Sequence, residues 1–340
     1  MPQPTTQTAS RSPSKRLPRL AALLVLAAAC ALVLSALYTT RINPEIRHFL
    51  GTHAIKQDWA AKMTREHGPK VVVYGGSSCE FSIDGERLLQ RYRLPCANLG
   101  RGAGMGAVVL TMAALDHVRE GDTLVVALEP ALLTDEPELP NLGVQFSLAS
   151  GNAHWILHPL PPTQPMCPLT AALALRPGGQ HVFAMLGKLL SGQPLYRYHL
   201  EDMHPSGFNE TALRLDVQGP PGHGGTVPPA SLAFLQSLRE WCQQHRVRFV
   251  YSLPWGYTPA EVLASTRRDN AAFLLQIIDI LPVLKDPMLG AHEVREDFAD
   301  TAWHLTPAAA AQRTDALAGQ LQHWEVWTPE ELRALVSGGI

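Results

Sequence analysis

Val71-Val72-Val73-Tyr74-Gly75-Gly76-Ser77-Ser78 decides how this chain is read. An apolar run that ends in a Gly-Gly pair predicts a short strand buried on both faces, as in a parallel sheet. The glycines let the chain turn sharply at the strand's carboxyl end, which is where ligands bind in open α/β sheets. Ser77 is presented there as a candidate nucleophile, with Ser78 as the alternative one residue on. Taken alone, Gly-Gly-Ser-Ser also suits a plain turn whose hydroxyls bond nearby backbone.

Outward from this stretch, strands are expected at 70–74, 95–98, 122–128, 247–252 and 282–285. Helices are expected between them, at 83–93, 105–118, 228–245 and 259–281. Alternation of this kind builds βαβ units with helices on both faces of a mainly parallel sheet, a three-layer α/β/α sandwich. Between about 132 and 229 the pattern breaks into Pro- and Gly-rich segments with one helix near 180–190 and the loop 219–225. An irregular stretch this long suits a lid or acceptor-binding insertion over the strand ends, or a surface excursion with no specific ligand.

Near the other end, Asp300-Thr301-Ala302-Trp303-His304 precedes Thr306-Pro307, a good N-cap followed by a good first helical residue. A serine hydroxyl is a weak nucleophile at neutral pH, and acyl transfer needs an imidazole to take its proton and a carboxylate to orient that imidazole. Ser77, His304 and Asp300 supply those three groups. Trp303 either lines an acyl pocket or packs under the final helix, and Glu129, ending the third strand, either contacts an acceptor or pairs with Arg101.

Gly75-Gly76-Ser77, then Asn98-Leu99-Gly100-Arg101-Gly102-Ala103-Gly104, then Asp300 with His304-Leu305 resemble, in that order, sequence blocks of the SGNH (GDSL-type) hydrolase superfamily. The resemblance covers 70–128 and 247–321 and leaves the middle uncovered. It implies an SGNH-like sandwich, a Ser77/His304/Asp300 triad, and an oxyanion hole built from the backbone amides of Ser77 and of Gly102 or Gly104. Two departures stand out. Glu129-Pro130 occupies the place of a Gly-x-Asn-Asp block, so the oxyanion asparagine is missing, and three residues rather than two separate Asp300 from His304.

The chain has 340 residues, 46% hydrophobic and 17% charged, enough for one large domain with appendages. A net charge of −2 argues against a nucleic-acid binder, which would carry a basic stripe. Residues 1–16 form a polar tail with Arg11, Lys15 and Arg16, and an uncharged apolar run of 19 residues, Leu20 to Tyr38, follows. That length spans a bilayer core, and the flanking positive charge predicts a cytoplasmic tail with the remainder outside. A cleaved signal peptide is the rival, with Ser35-Ala36-Leu37 near a cut. The expected organisation is a tail at 1–16, a transmembrane signal anchor at 17–39, a juxtamembrane helical segment at 40–67, an α/β domain at 68–325 and a helix or tail at 326–340.

Cys79, Cys96, Cys167 and Cys242 permit three disulfide pairings on an oxidising side, and their spacing selects none. His154 and His158 have metal-compatible i, i+4 spacing without a placed third ligand, and no metal or cofactor is implied. The expectation is a serine esterase or O-acyltransferase held at the inner membrane with its domain in the periplasm or outside the cell. Its substrate class is the acyl esters of an envelope glycan, with a membrane acyl-donor protein as a possible partner. Here the chain resembles the SGNH-like proteins that acetylate exopolysaccharides and the D-alanyl transfer proteins of teichoic acid. The alternative is a catalytically inactive scaffold or carbohydrate-binding protein of the same fold.

Overall fold

Helix α1 (Arg16–Leu37) stands away from the rest of the chain, with Leu24, Val25 and Leu34 exposed. The computed structural model describes residues 16–177, 179–210 and 224–338, so the tail at 1–15, the loop at 219–223 and the last two residues lie outside it. An 18-residue window within Pro18–Ile42 has a mean hydropathy of 2.7, and the segment is long and apolar enough to cross a membrane. A π-helical turn, Tyr38–Ile42, joins it to α2 (Pro44–His67), which starts with Pro44 at its first turn and the Asn43 side chain accepting from the Glu45 amide.

The segment expected to be juxtamembrane is not an appendage. Ile46, Phe49, Trp59 and Met63 of α2 are buried in the main core, and Trp59 Nε1 donates to the Cys96 carbonyl at 2.7 Å. Helix α2 therefore belongs to the α/β domain, because its apolar stripe has no other cover.

The sheet is parallel and four-stranded. Strand β1 (Val71–Gly75) leads through α3 (Ser77–Glu80) and α4 (Gly85–Tyr92) to β2 (Cys96–Asn98). A 3-10 turn, Ala103–Met105, and α5 (Gly106–Leu115) lead to β3 (Thr123–Ala127). The insertion then contributes α6 (Ala131–Thr134), α7 (Asn141–Ala149), α8 (His154–Leu157), α9 (Pro168–Ala174) and α10 (Gly179–Ser191). Helix α11 (Pro229–Gln244) returns to β4 (Arg248–Tyr251), and the spatial order is β2-β1-β3-β4. Val72 is in register with Ala97 on one side and Leu124 on the other, and Leu124 with Phe249.

Alternation along the strands sorts their side chains into two clusters. Val72, Tyr74, Leu124 and Val126 enter one with residues of α2, α5 and α11; Val71, Val73, Val125 and Ala127 enter the other with Leu88 of α4. Both faces are apolar for this reason, as the continuous run Val71–Tyr74 requires.

Past β4 the chain adds β5 (Gly256–Tyr257), α12 (Leu263–Ile277), β6 (Ala291–His292), α13 (Pro307–His323) and α14 (Pro329–Val336). The helix expected at 259–281 is shorter, preceded by a 3-10 turn at Ala260–Val262. The strand expected at 282–285 reduces to a parallel bridge between Val283 and Tyr251. Pro282 explains this in part, since proline lacks the amide that a continuous ladder would use. The terminal segment is also no loose tail: Leu332 is buried, and a capping box between Thr328 and Glu331 fixes the start of α14.

Candidate active site

Strand β1 delivers Gly75, Gly76 and Ser77 to the carboxyl edge of the sheet, and the turn there needs glycine for space. A Cβ on Gly75 would lie 2.0 Å from the Ala127 carbonyl oxygen, and one on Gly76 would lie 2.3 Å from both Glu129 carboxylate oxygens. Ser77 is half-buried at the start of α3, whereas Ser78 is only 1% exposed. Of the two serines, Ser77 is the more exposed.

Glu129 organises this turn. Its Oε2 accepts from the Gly76 amide and its Oε1 from the Ser78 amide, both at 3.0 Å. The carboxylate thereby caps α3, favourable against the partial positive charge of a helix start, while its burial pushes its pKa up. Neither alternative expected for Glu129 matches this placement. It is only 4% exposed, with both oxygens bonded to backbone, and Arg101 instead bonds His53 Nδ1 at 2.6 Å and the Leu99 carbonyl at 3.1 Å. Glu129→Gln is expected to turn an amide NH₂ toward one of these backbone donors and lower folding stability by about 1–3 kcal/mol. Urea denaturation followed by tryptophan fluorescence measures the change.

Three further buried side chains hold α3 in place. Lys56 of α2 pairs with Glu80 at 3.0 Å and donates to the Gly100 carbonyl, and Asn209 of the insertion donates to Glu80 at 3.2 Å. Asn98, ending β2, donates to the Cys79 and Ile83 carbonyls at 2.9 and 2.7 Å and accepts from the Gly100 amide at 2.9 Å. The loop after β2 is pinned in turn to β1 through the Arg101 amide and the Gly75 carbonyl, 3.1 Å apart. The half-exposed Gly102 follows directly, while Gly104 is exposed. Among the described residues the Ser77 and Gly102 amides have no hydrogen-bond partner, the state that donors for an oxyanion require. Burial pushes the Cys79 thiol up to about 12, away from the reactive thiolate form.

Asp300 and His304 arrive on the loop before α13. His304 Nδ1 lies 2.7 Å from Asp300 Oδ1, and the imidazole stacks on Phe81 with ring centroids 4.1 Å apart and planes 15° from parallel. Phe81 ends α3, and its amide donates to the Ser77 carbonyl at 3.0 Å. The carboxylate–imidazole pair thus sits one short helix from Ser77. His304 Nε2 makes no hydrogen bond among the described residues, and none joins it to the Ser77 hydroxyl. The half-buried Trp303 adjoins His304, its amide donating to Thr301 Oγ1 at 3.1 Å.

The insertion completes the surroundings. Tyr198 donates to Asp300 Oδ2 at 2.8 Å, and Arg197 reaches the same oxygen at 3.1 Å. Burial by itself would raise the Asp300 pKa, but the bonds from His304, Tyr198 and Arg197 outweigh it and bring the group down to about 2. A depressed carboxylate contributes stability above its ordinary value of 3.8 and loses it as the pH falls toward 2. Urea midpoints measured between pH 4 and 2 are expected to fall more steeply for the native chain than for Asp300→Asn.

Sequence reading missed Lys56, Glu80, Phe81, Arg197 and Tyr198 as parts of the site. Glu80 and Phe81 lie within one turn of Ser77 and could have been marked by helical spacing. Arg197 and Tyr198 sit in an irregular stretch with no periodicity to place them. His154 pairs with Asp116 at 3.2 Å, and among the described residues no cluster of His, Cys, Asp and Glu has the makings of a metal site. All five cysteines are free thiols. No family model, curated protein or solved structure matches the chain.

Proposed function

We propose that this protein is a serine acyl-transfer enzyme, an esterase or O-acyltransferase, with Ser77 as nucleophile, His304 as base and Asp300 as its orienting carboxylate. The observation that carries the reading is the stacking of His304 on Phe81 while its Nδ1 is held by Asp300. That arrangement leaves Nε2 for the serine proton. Ser77 attacks an ester carbonyl, His304 takes the hydroxyl proton and returns it to the leaving alcohol, and water or an acceptor hydroxyl then takes the acyl group from Ser77. The amides of Ser77 and Gly102, unpartnered among the described residues, supply oxyanion donors, and loss of one such donor typically costs roughly 10²–10³ in turnover.

The parallel sheet, its apolar side chains on both faces, and the site at the carboxyl edge support an SGNH-like three-layer sandwich. The apolar helix α1 supports a single-pass anchor, and basic residues ahead of it support a periplasmic or external domain. In that location the substrate class is the acyl esters of an envelope glycan, with the acyl group brought by a membrane donor protein.

A second reading, an inactive scaffold or glycan-binding member of the same fold, is favoured by Glu129. Its carboxylate lies against the Gly76 and Ser78 amides where the resemblance would place an asparagine donor, and an ionised group there opposes a developing oxyanion. A fluorophosphonate probe separates the two readings. Labelling of the native chain that is lost in Ser77→Ala supports the enzyme; no labelling and no turnover of activated acetyl esters supports the scaffold.

A further inference from the structure

Helix α10 carries an apolar face that none of the described residues covers. Val182, Phe183, Leu186, Leu189 and Leu190 are exposed, Phe183 at 76% and Leu190 at 80%. At 100° per residue these five fall within about 120° of arc. The polar residues His181 and Lys188 lie on the other side and turn toward the protein: His181 Nε2 is 3.1 Å from Tyr38 Oη, and Lys188 Nζ donates to the Leu195 carbonyl at 3.3 Å. A helix with its polar groups inward and its leucines and phenylalanine outward is inverted relative to an ordinary surface helix.

Its position says what covers that face. Tyr38, Ile42 and Pro44, which follow directly on α1, line one groove with Val182, Met185, Leu186, Leu189 and Leu195. Ser35 and Thr39 donate to the Leu175 carbonyl, which ties the end of α1 to the segment between α9 and α10. Leu169 of α9 is also 70% exposed. Charge agrees: no Asp or Glu occurs between Glu138 and Glu201, and the exposed Arg176 lies in that interval between α9 and α10. Such a combination fits the boundary of an anionic bilayer, where apolar side chains enter the acyl region and basic ones meet headgroups.

The geometry points to α10 as an interfacial helix seated in the lipid surface beside the exit of α1. The inference rests on the anchor reading of α1 and extends it to a second, non-spanning contact. Tyr196, Arg197 and Tyr198 follow α10 by a few residues, with the Tyr196 ring tilted against His48 at 4.8 Å and the next two on Asp300. The segment that clamps the Asp300 carboxylate is thereby continuous with the membrane-seated helix, which sets the Ser77 edge close to the lipid surface.

The test uses the full chain reconstituted in phosphatidylethanolamine–phosphatidylglycerol vesicles, with nitroxide labels read by their collisions with oxygen and with a water-soluble nickel chelate. In a Cys30→Ser, Cys167→Ser background, single labels go on Phe183→Cys, Leu190→Cys and Gln244→Cys. Gln244 is exposed at the amino edge of the sheet. A fourth sample keeps Cys30 within α1 as the reporter of the anchor. The expected result is an oxygen-to-nickel ratio at 183 and 190 several-fold above that at 244 and approaching that at Cys30. Val182→Cys and Leu189→Cys repeat the reading on the same face if either first variant misfolds. Nickel-favoured labels at 183 and 190 with a lipid-favoured Cys30 overturn the inference and leave the anchor standing. A nickel-favoured Cys30 overturns both. Labels at 183 and 190 shielded from both reagents show protein cover, a second copy, and also overturn it.

Discussion

Ser77→Ala is expected to abolish fluorophosphonate labelling and to lower turnover of an activated acetyl ester on the order of 10³–10⁶-fold, since loss of a triad nucleophile leaves only binding and oxyanion donors. Ser78→Ala is expected to keep labelling and turnover within several-fold of native. The contrast follows from the burial of Ser78 and the commitment of its amide to Glu129. Ser77 is half-buried at the sheet edge, and its amide has no partner among the described residues. The assignment would move to Ser78 if its alanine variant lost labelling while Ser77→Ala kept it. Circular dichroism on both variants separates a chemical loss from a folding defect.

Asp300→Asn is expected to lower turnover by about 10⁴-fold with little change in KM, because an amide at that position no longer holds the imidazole in the tautomer that leaves Nε2 as an acceptor. The same change removes the negative charge that Tyr198 and Arg197 bond, so part of the loss arises from a displaced strap, the Arg197–Tyr198 segment that clamps Asp300. Tyr198→Phe isolates that part. It keeps the ring tilted against Phe81, 5.3 Å away, and deletes only the hydroxyl. A loss under about tenfold in Tyr198→Phe, beside the far larger one in Asp300→Asn, assigns the effect to the carboxylate–imidazole bond. Equal losses in the two variants would instead make the strap, not the triad, the controlling element. Steady-state kinetics over a pH series distinguishes these outcomes.

The strand pattern was legible because burial on both faces leaves a continuous apolar run, and Val71–Tyr74 and Thr123–Ala127 show one. Their register with β2 and β4 had no such signal, nor did the order β2-β1-β3-β4, which depends on crossover geometry. Glu129 shows the limit at the site itself. A carboxylate at a strand end reads as a surface ligand, and only its distance of 3.0 Å from two amides turns it into a cap on α3. Likewise α2 has the modest amphipathicity of a linker helix in sequence, yet Ile46 and Met63 are fully buried once the sheet is there to receive them.

By itself the sequence determined an α/β chain with a long apolar N-terminal helix, a serine at a glycine turn after the first strand, and an Asp/His pair ahead of the last long helices. Those features are local, since periodicity, glycine turns and caps act within a few residues. Tertiary structure alone decided that His304 stacks on the helix begun by Ser77, that Glu129 holds the turn, and that Tyr198 from the insertion clamps Asp300. Each of these joins residues far apart in the chain, and such contacts arise from packing of elements whose local sequence carries no record of its neighbour.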